Sequence, residues 1–212
     1  ILHVLRAFSS EVELASFEFF ADNALQKVLQ HTDLASPFGD RHAFYALLEI
    51  DADAANPAMV LFEHCVAQGW VRDGVLSQSI DQARRLWRLR EDISETLSRW
   101  QPYKNDISVV ISRMPAFIEQ VEALVRREYA ALAVVWYGHI GDGHLQLNIL
   151  KPEGMERAQF DARCADATRA IATLLAEFGG SISAEHGIGL LKKDYLGCTR
   201  SARELQLLRG LK

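Results

Sequence analysis

Hydrophobic and polar positions change period several times along the chain, and each change marks an element. The stretch "SSEVELASFEFFADNALQKVLQH" (Ser9–His31) places apolar residues behind two capping serines, Ser9 and Ser10, and predicts one helix. Pro37 and Gly39 make 32–40 a loop. Residues 42–51 are aromatic-rich and strand-like. Residues 56–70 open with Asn-Pro and close near Gly69, as a helix does. A long amphipathic helix follows over 77–100, then an alternating strand over 106–114 and a helix over 115–129 that starts with Pro. Residues 132–150 read as strand, interruption, strand. Residues 156–180 form a helix ending at a Gly pair. A short strand over 181–189 leads into a Gly-rich bend, and the remainder is helical with a break near Gly197.

Strands and helices alternate, but several connections are short. That predicts an α+β fold, an antiparallel sheet flanked by helices largely on one face, rather than a doubly wound parallel sheet. No repeat, low-complexity tract or linker interrupts the pattern.

Composition narrows the functions. With 212 residues and 49% hydrophobic content, a sizeable core forms without staples. The net charge of -5 and the scattered Lys and Arg argue against a nucleic-acid partner. No apolar run approaches a membrane span. Cys65, Cys164 and Cys198 are far apart and odd in number, which fits free thiols in a reducing, cytoplasmic setting. The chain begins "ILHVLRAF" without Met and ends "ARELQLLRGLK" without a capping signal, so we expect a piece of a longer polypeptide.

The chemistry concentrates in two places. In "GHIGDGHLQLNI", His144, Gln146 and Asn148 share one strand face while Leu145, Leu147 and Ile149 share the other. A turn or bulge at Gly141-Asp142-Gly143 would bring His139 near His144 and Gln146. This makes either a compact polar site or a solvated outer face. In "SAEHGIG", adjacent Glu185 and His186 offer a carboxylate and an imidazole, donors that suit Zn, Mn or Fe. The plain alternative is a surface Glu–His pair. Arg90 falls on the apolar stripe of helix 77–100, with Ser94 one turn further along the same face. Such an arginine meets a ligand anion, snorkels to water or pairs with a protein carboxylate. Lys104 stands just before a strand, where a solvated edge charge is the ordinary case.

Four segments together, "YGHIGDGHLQLNI", "SAEHGIGLLKKDYL", "WRLREDISETL" and "YKNDISVVISRMP", resemble the C-terminal, substrate-binding domain of FAD-linked oxidases. The branch is that of D-lactate dehydrogenase, the glycolate oxidase flavin subunit and D-2-hydroxyglutarate dehydrogenase. The resemblance runs over residues 1–212. It implies a ferredoxin-like cap domain that partners an N-terminal FAD-binding domain of the same polypeptide. No Gly-rich flavin pyrophosphate loop occurs in this chain, so the chain alone is expected to be inactive and not to retain FAD. It could expose an apolar docking face and pair through it as a homodimer.

The implied reaction is FAD-dependent oxidation of a small 2-hydroxy acid of D configuration to a 2-oxo acid, with an unknown electron acceptor. By the resemblance, His186 is the catalytic base. Arg90, Ser94, Lys104 and Asn148 bind substrate. His139 and Glu185 are ligands of a divalent metal (Zn or Mn), joined by His144 or Gln146. Here the chain departs from the family, which shows Asn then His where this sequence has His144 then Gln146. One pleat along a strand is roughly 6–7 Å, so His144 reaches the metal only if the ion moves. Two other functions compete: a stand-alone metal-dependent hydrolase built on His139, His144 and Glu185, and a non-catalytic ligand-binding α+β module.

Overall fold

The computed structural model describes residues 1–211; Lys212, the last residue of the predicted C-terminal helical stretch, lies outside them. Its elements are α1 (Leu2–Ser9), β1 (Leu14–Ala21), α2 (Asp22–His31), β2 (Phe44–Ile50), α3 (Ala55–Ala67), α4 (Ile80–Leu97), β3 (Tyr103–Ser108), α5 (Met114–Glu128), β4 (Ala133–Gly138), β5 (His144–Leu150), α6 (Arg157–Glu177), α7 (Leu196–Thr199) and α8 (Ala202–Leu211). The class is α+β, and the strand pairings described below are all antiparallel. Among the described residues, no helix is long and apolar enough to cross a membrane. The chain divides into two compact units.

The first unit comprises residues 1–99 and 136–142. β1 pairs along its length with β2, and its Phe19 and Phe20 pair with Gly138 and Tyr137 at the end of β4. α4 packs on α2 and on β1. It starts at Ser79, whose hydroxyl accepts the N–H of Gln82 at 3.2 Å and caps an otherwise orphaned donor.

The single helix expected over 9–31 does not form. α1 ends at Ser9, residues 14–21 are a strand, and only 22–31 are helical. The phenylalanines at 17, 19 and 20 explain the difference. Aromatic residues favour a pleated, half-buried surface. Phe20 stacks on Tyr45 across the strand pair, with centroids 5.6 Å apart. This tertiary pairing outweighs the local helical spacing.

The second unit comprises residues 100–135 and 143 onward. β3 and β5 pair from Tyr103↔Ile149 to Ser108↔His144. Leu145, Leu147 and Ile149 are fully buried, each contributing about 1.5–3 kcal/mol of apolar burial. α6 covers β3, and α5 packs on α6. α6 ends as expected at its Gly pair: Gly179, at φ +67°, allows the Gly180 N–H to turn back to the Leu175 carbonyl at 2.7 Å.

Three boundaries differ from expectation. β3 spans 103–108 rather than 106–114; the chain then turns, and Pro115 sits in the first turn of α5, which starts at Met114. Residues 181–189 form no strand beyond a single bridge, Ser108↔Ser181, because Gly187 and Gly189 take φ of +76° and +52°. The helical break falls between α7 and α8 at 200–201, and Gly197 lies inside α7. The Gly-Asp-Gly interruption has a steric reason. Gly143 sits at φ +82°, where a Cβ would lie 2.9 Å from the Val109 carbonyl oxygen, so only glycine fits.

Candidate functional site

The predicted residues fall into two clusters, one in each unit. The first is built on Glu18, a carboxylate on β1 that is 3% exposed. It accepts hydrogen bonds from the Ser16 hydroxyl at 2.9 Å and from Arg90 Nε at 3.0 Å. His139 Nδ1 lies 2.7 Å from Oε1, the oxygen that also accepts Ser16, while Arg90 meets Oε2. Arg90 comes from the buried stripe of α4, and its guanidinium also lies over the Tyr137 ring, 4.8 Å from the centroid. Of the three readings open for Arg90, the structure shows the buried pair with a protein carboxylate. Only Nε is used in that pair, and a guanidinium has four further N–H groups.

A Glu18 carboxylate at Nδ1 favours the His139 tautomer that carries its proton there, which makes Nε2 the acceptor nitrogen. Ser94 follows Arg90 by one turn and is half-buried. Glu18 itself escaped the sequence reading. Its one signal was a lone charge among three phenylalanines in "SFEFF".

The second cluster lies on the polar face of β3 and β5. The register sets His144 opposite Ser108, Gln146 opposite Asp106 and Asn148 opposite Lys104. This face is not a solvated one. Gln146 is 6% exposed and Asn148 0%, while Lys104 stays exposed. Among the described residues, neither side-chain amide atom of Asn148 has a hydrogen-bond partner. A buried polar group left so costs about 1–3 kcal/mol, which a ligand oxygen or N–H can recover.

Asp106, also unforeseen, organises the Glu-His-Gly segment. Its Oδ2 accepts the backbone N–H of Glu185 at 3.1 Å and of His186 at 2.9 Å. Its Oδ1 accepts Gln146 Nε2 at 3.1 Å, and the same amide nitrogen lies 3.4 Å from Glu185 Oε1. Lys192 Nζ donates to the Asp106 carbonyl at 3.0 Å. Glu185 and His186 are thus drawn to the β3–β5 face by main-chain bonds, while their side chains remain exposed.

Burial pushes the Asp106 carboxyl up, but the N–H groups of His186 and Glu185 and the Lys192 charge outweigh it and hold it below the usual carboxylate value. A folded value below the unfolded one means the unfolded chain binds more protons in acid. The stabilisation is therefore full at neutral pH and is lost as pH falls through the folded value. Urea midpoints should drop below about pH 4, and less steeply in Asp106→Asn. An equal acid slope in the two proteins would contradict this assignment.

The resemblance names four metal donors. His139 lies in the first unit, and His144, Gln146 and Glu185 in the second. Gln146 turns its amide N–H toward Glu185; a carboxamide meets an ion through its oxygen, which this bond does not use. Among the described residues, no group of three or more His, Cys, Asp or Glu is placed to hold an ion.

Comparison with known proteins settles the family. The model of the FAD linked oxidases, C-terminal domain, matches residues 1–212. The chain belongs to this family. Among curated relatives, a D-2-hydroxyglutarate dehydrogenase of Stutzerimonas stutzeri is 49% identical over 100% of this chain and 46% of its own length. One of Xanthomonas citri is 52% identical over 100% of this chain and 45% of its own length. A putative mitochondrial D-lactate dehydrogenase of Schizosaccharomyces pombe is 32% identical over 99% of this chain and 43% of its own length. The FAD-linked oxidase domain described here therefore spans about half the length of the curated relatives it matches.

Proposed function

We propose that the full-length protein is an FAD-dependent dehydrogenase that oxidises a D-2-hydroxy acid to its 2-oxo acid, with D-2-hydroxyglutarate as the first substrate to test. The observation that carries this reading is the tethering of Glu185 and His186 to Asp106, beside the polar β3–β5 face, in a chain of this family. The names of the two bacterial relatives support the choice of substrate.

In the reaction, the Cα hydrogen leaves as hydride and the hydroxyl proton leaves separately. His186, whose side chain is 63% exposed, takes that proton as general base. Asn148 hydrogen-bonds the acid. Lys104, opposite it on β3, supplies a positive charge for a carboxylate, including the second one that a hydroxyglutarate carries. Bound FAD supplies the hydride acceptor. The 212 residues hold no Gly-rich loop to cradle its pyrophosphate, so we assign flavin binding to the rest of the polypeptide. In the first unit, Arg90 and Ser94 are the residues that the resemblance names as further substrate anchors.

No step is routed through a divalent metal: among the described residues, no group of three or more His, Cys, Asp or Glu is placed to hold one. The match to the FAD linked oxidases family stands against the hydrolase reading. A cytoplasmic location belongs to this proposal and is supported by three free cysteines.

The test is steady-state turnover of the purified, FAD-loaded full-length protein with an artificial electron acceptor. Substrates are D- and L-2-hydroxyglutarate and D- and L-lactate. Turnover of D-2-hydroxyglutarate, with the L enantiomers inactive, is the expected result. No turnover of any D-2-hydroxy acid by a protein with a full complement of FAD would overturn the proposal.

A further inference from the structure

Asp106 is 2% exposed, and its side chain bonds both Gln146 of the neighbouring strand and a distant segment. Its carboxylate reaches a segment about 80 residues away in sequence and holds two consecutive backbone N–H groups, those of Glu185 and His186. The segment meets the sheet through longer side-chain bonds as well, from the Ser183 hydroxyl to Asp106 Oδ2 at 3.4 Å and from Gln146 Nε2 to Glu185 Oε1 at 3.4 Å. It forms no strand beyond the Ser108↔Ser181 bridge, and it contains two glycines at positive φ. Within the segment, the Ser183 hydroxyl also bonds the Gly187 carbonyl at 2.9 Å, which closes the loop on itself. Lys192, just beyond, adds a bond to the Asp106 carbonyl. The His186 ring follows its backbone: Nδ1 lies 3.6 Å from Asp106 Oδ2, on the opposite side of the imidazole from Nε2.

We infer that Asp106 is the positioning residue of the site, a buried carboxylate that clamps the Glu185–His186 main chain and sets the direction of the His186 ring. This rests on the reading of His186 as the base. Two main-chain N–H groups on one oxygen fix both the place and the rotation of the peptide between them, which no single side-chain contact does. A base misplaced by about 1 Å loses on the order of 10²-fold in rate, so the clamp acts on kcat and not on substrate affinity.

The experiment compares Asp106→Ala and Asp106→Asn in the FAD-loaded full-length protein. Two quantities are read: hydrogen–deuterium exchange over residues 183–189, and kcat and KM for the D-2-hydroxy acid that the wild type turns over. Asparagine keeps one acceptor oxygen at the same reach; alanine keeps none. Asp106→Ala should raise exchange at 183–189 while leaving α5 and α6 protected. It should lower kcat by about 10²-fold with KM changed by less than about threefold. Asp106→Asn should restore protection and most of kcat.

Unchanged exchange at 183–189 in Asp106→Ala would overturn the inference, as would wild-type kcat in that variant. If alanine prevents folding, Asp106→Ser, too short to reach either N–H group, takes its place: unchanged exchange at 183–189 overturns the clamp, and raised exchange supports it. The exchange arm needs no turnover. A wild type inactive on every D-2-hydroxy acid would therefore count against the proposed reaction and leave the clamp separately tested.

Discussion

Replacing His186 by Asn in the full-length protein should lower kcat for D-2-hydroxy-acid oxidation by about 10²–10⁴-fold, the usual range for removing a general base. KM should stay within a few-fold, because the residues proposed to hold the acid are elsewhere. The variant should also fold and load FAD normally. The His186 side chain is mostly exposed, and the bond that anchors this residue to Asp106 at 2.9 Å is made by its backbone N–H, which asparagine keeps. Loss of the imidazole is thereby separated from loss of the loop. Steady-state kinetics with a parallel thermal melt checks both halves. Wild-type kcat in a folded His186→Asn protein would remove His186 as the base and favour a non-catalytic, ligand-binding role for the domain.

The largest stability effect should come from Glu18. Its side chain is 4% exposed and that of its partner Arg90 is 10% exposed, so the pair is buried in the first unit. Breaking a buried pair from one side leaves an uncompensated charge and costs about 3–5 kcal/mol. Glu18→Leu strands Arg90, and it also removes the acceptor for Ser16 and for His139 Nδ1. Arg90→Met strands Glu18 but leaves it the other two partners, so it should cost less than Glu18→Leu. The double variant removes both charges and should be more stable than the sum of the two single effects predicts. Urea denaturation of the three variants measures this. Strict additivity would show that the pair contributes nothing beyond its separate parts.

The two clusters differ in how far the sequence revealed them. The polar row His144, Gln146, Asn148 was legible because a strand alternates with period two, and β5 keeps that alternation without a bulge. Its burial was not legible, since period alone does not say what covers a face. Glu18 was hidden by a wrong period: three phenylalanines and flanking polar residues fit a helix locally, and only pairing with β2 decides for a strand. Asp106 was hidden for a different reason. Its partners are backbone N–H groups of a distant loop, and main-chain donors leave no trace in residue identity. The exchanged His144 and Gln146 were legible as a departure, and the structure gives Gln146 a concrete role as a donor between Asp106 and Glu185.

The most direct test of the proposed reaction is single-turnover reduction of the flavin in the full-length protein. The FAD-loaded enzyme is mixed anaerobically with D-2-hydroxyglutarate carrying either hydrogen or deuterium at C2, and the flavin absorbance is followed. Bleaching by the D-acid, slower with deuterium, is the result this account predicts, because the C2 hydrogen leaves as hydride. An FAD-loaded protein that stays oxidised with this acid and with D-lactate would contradict it.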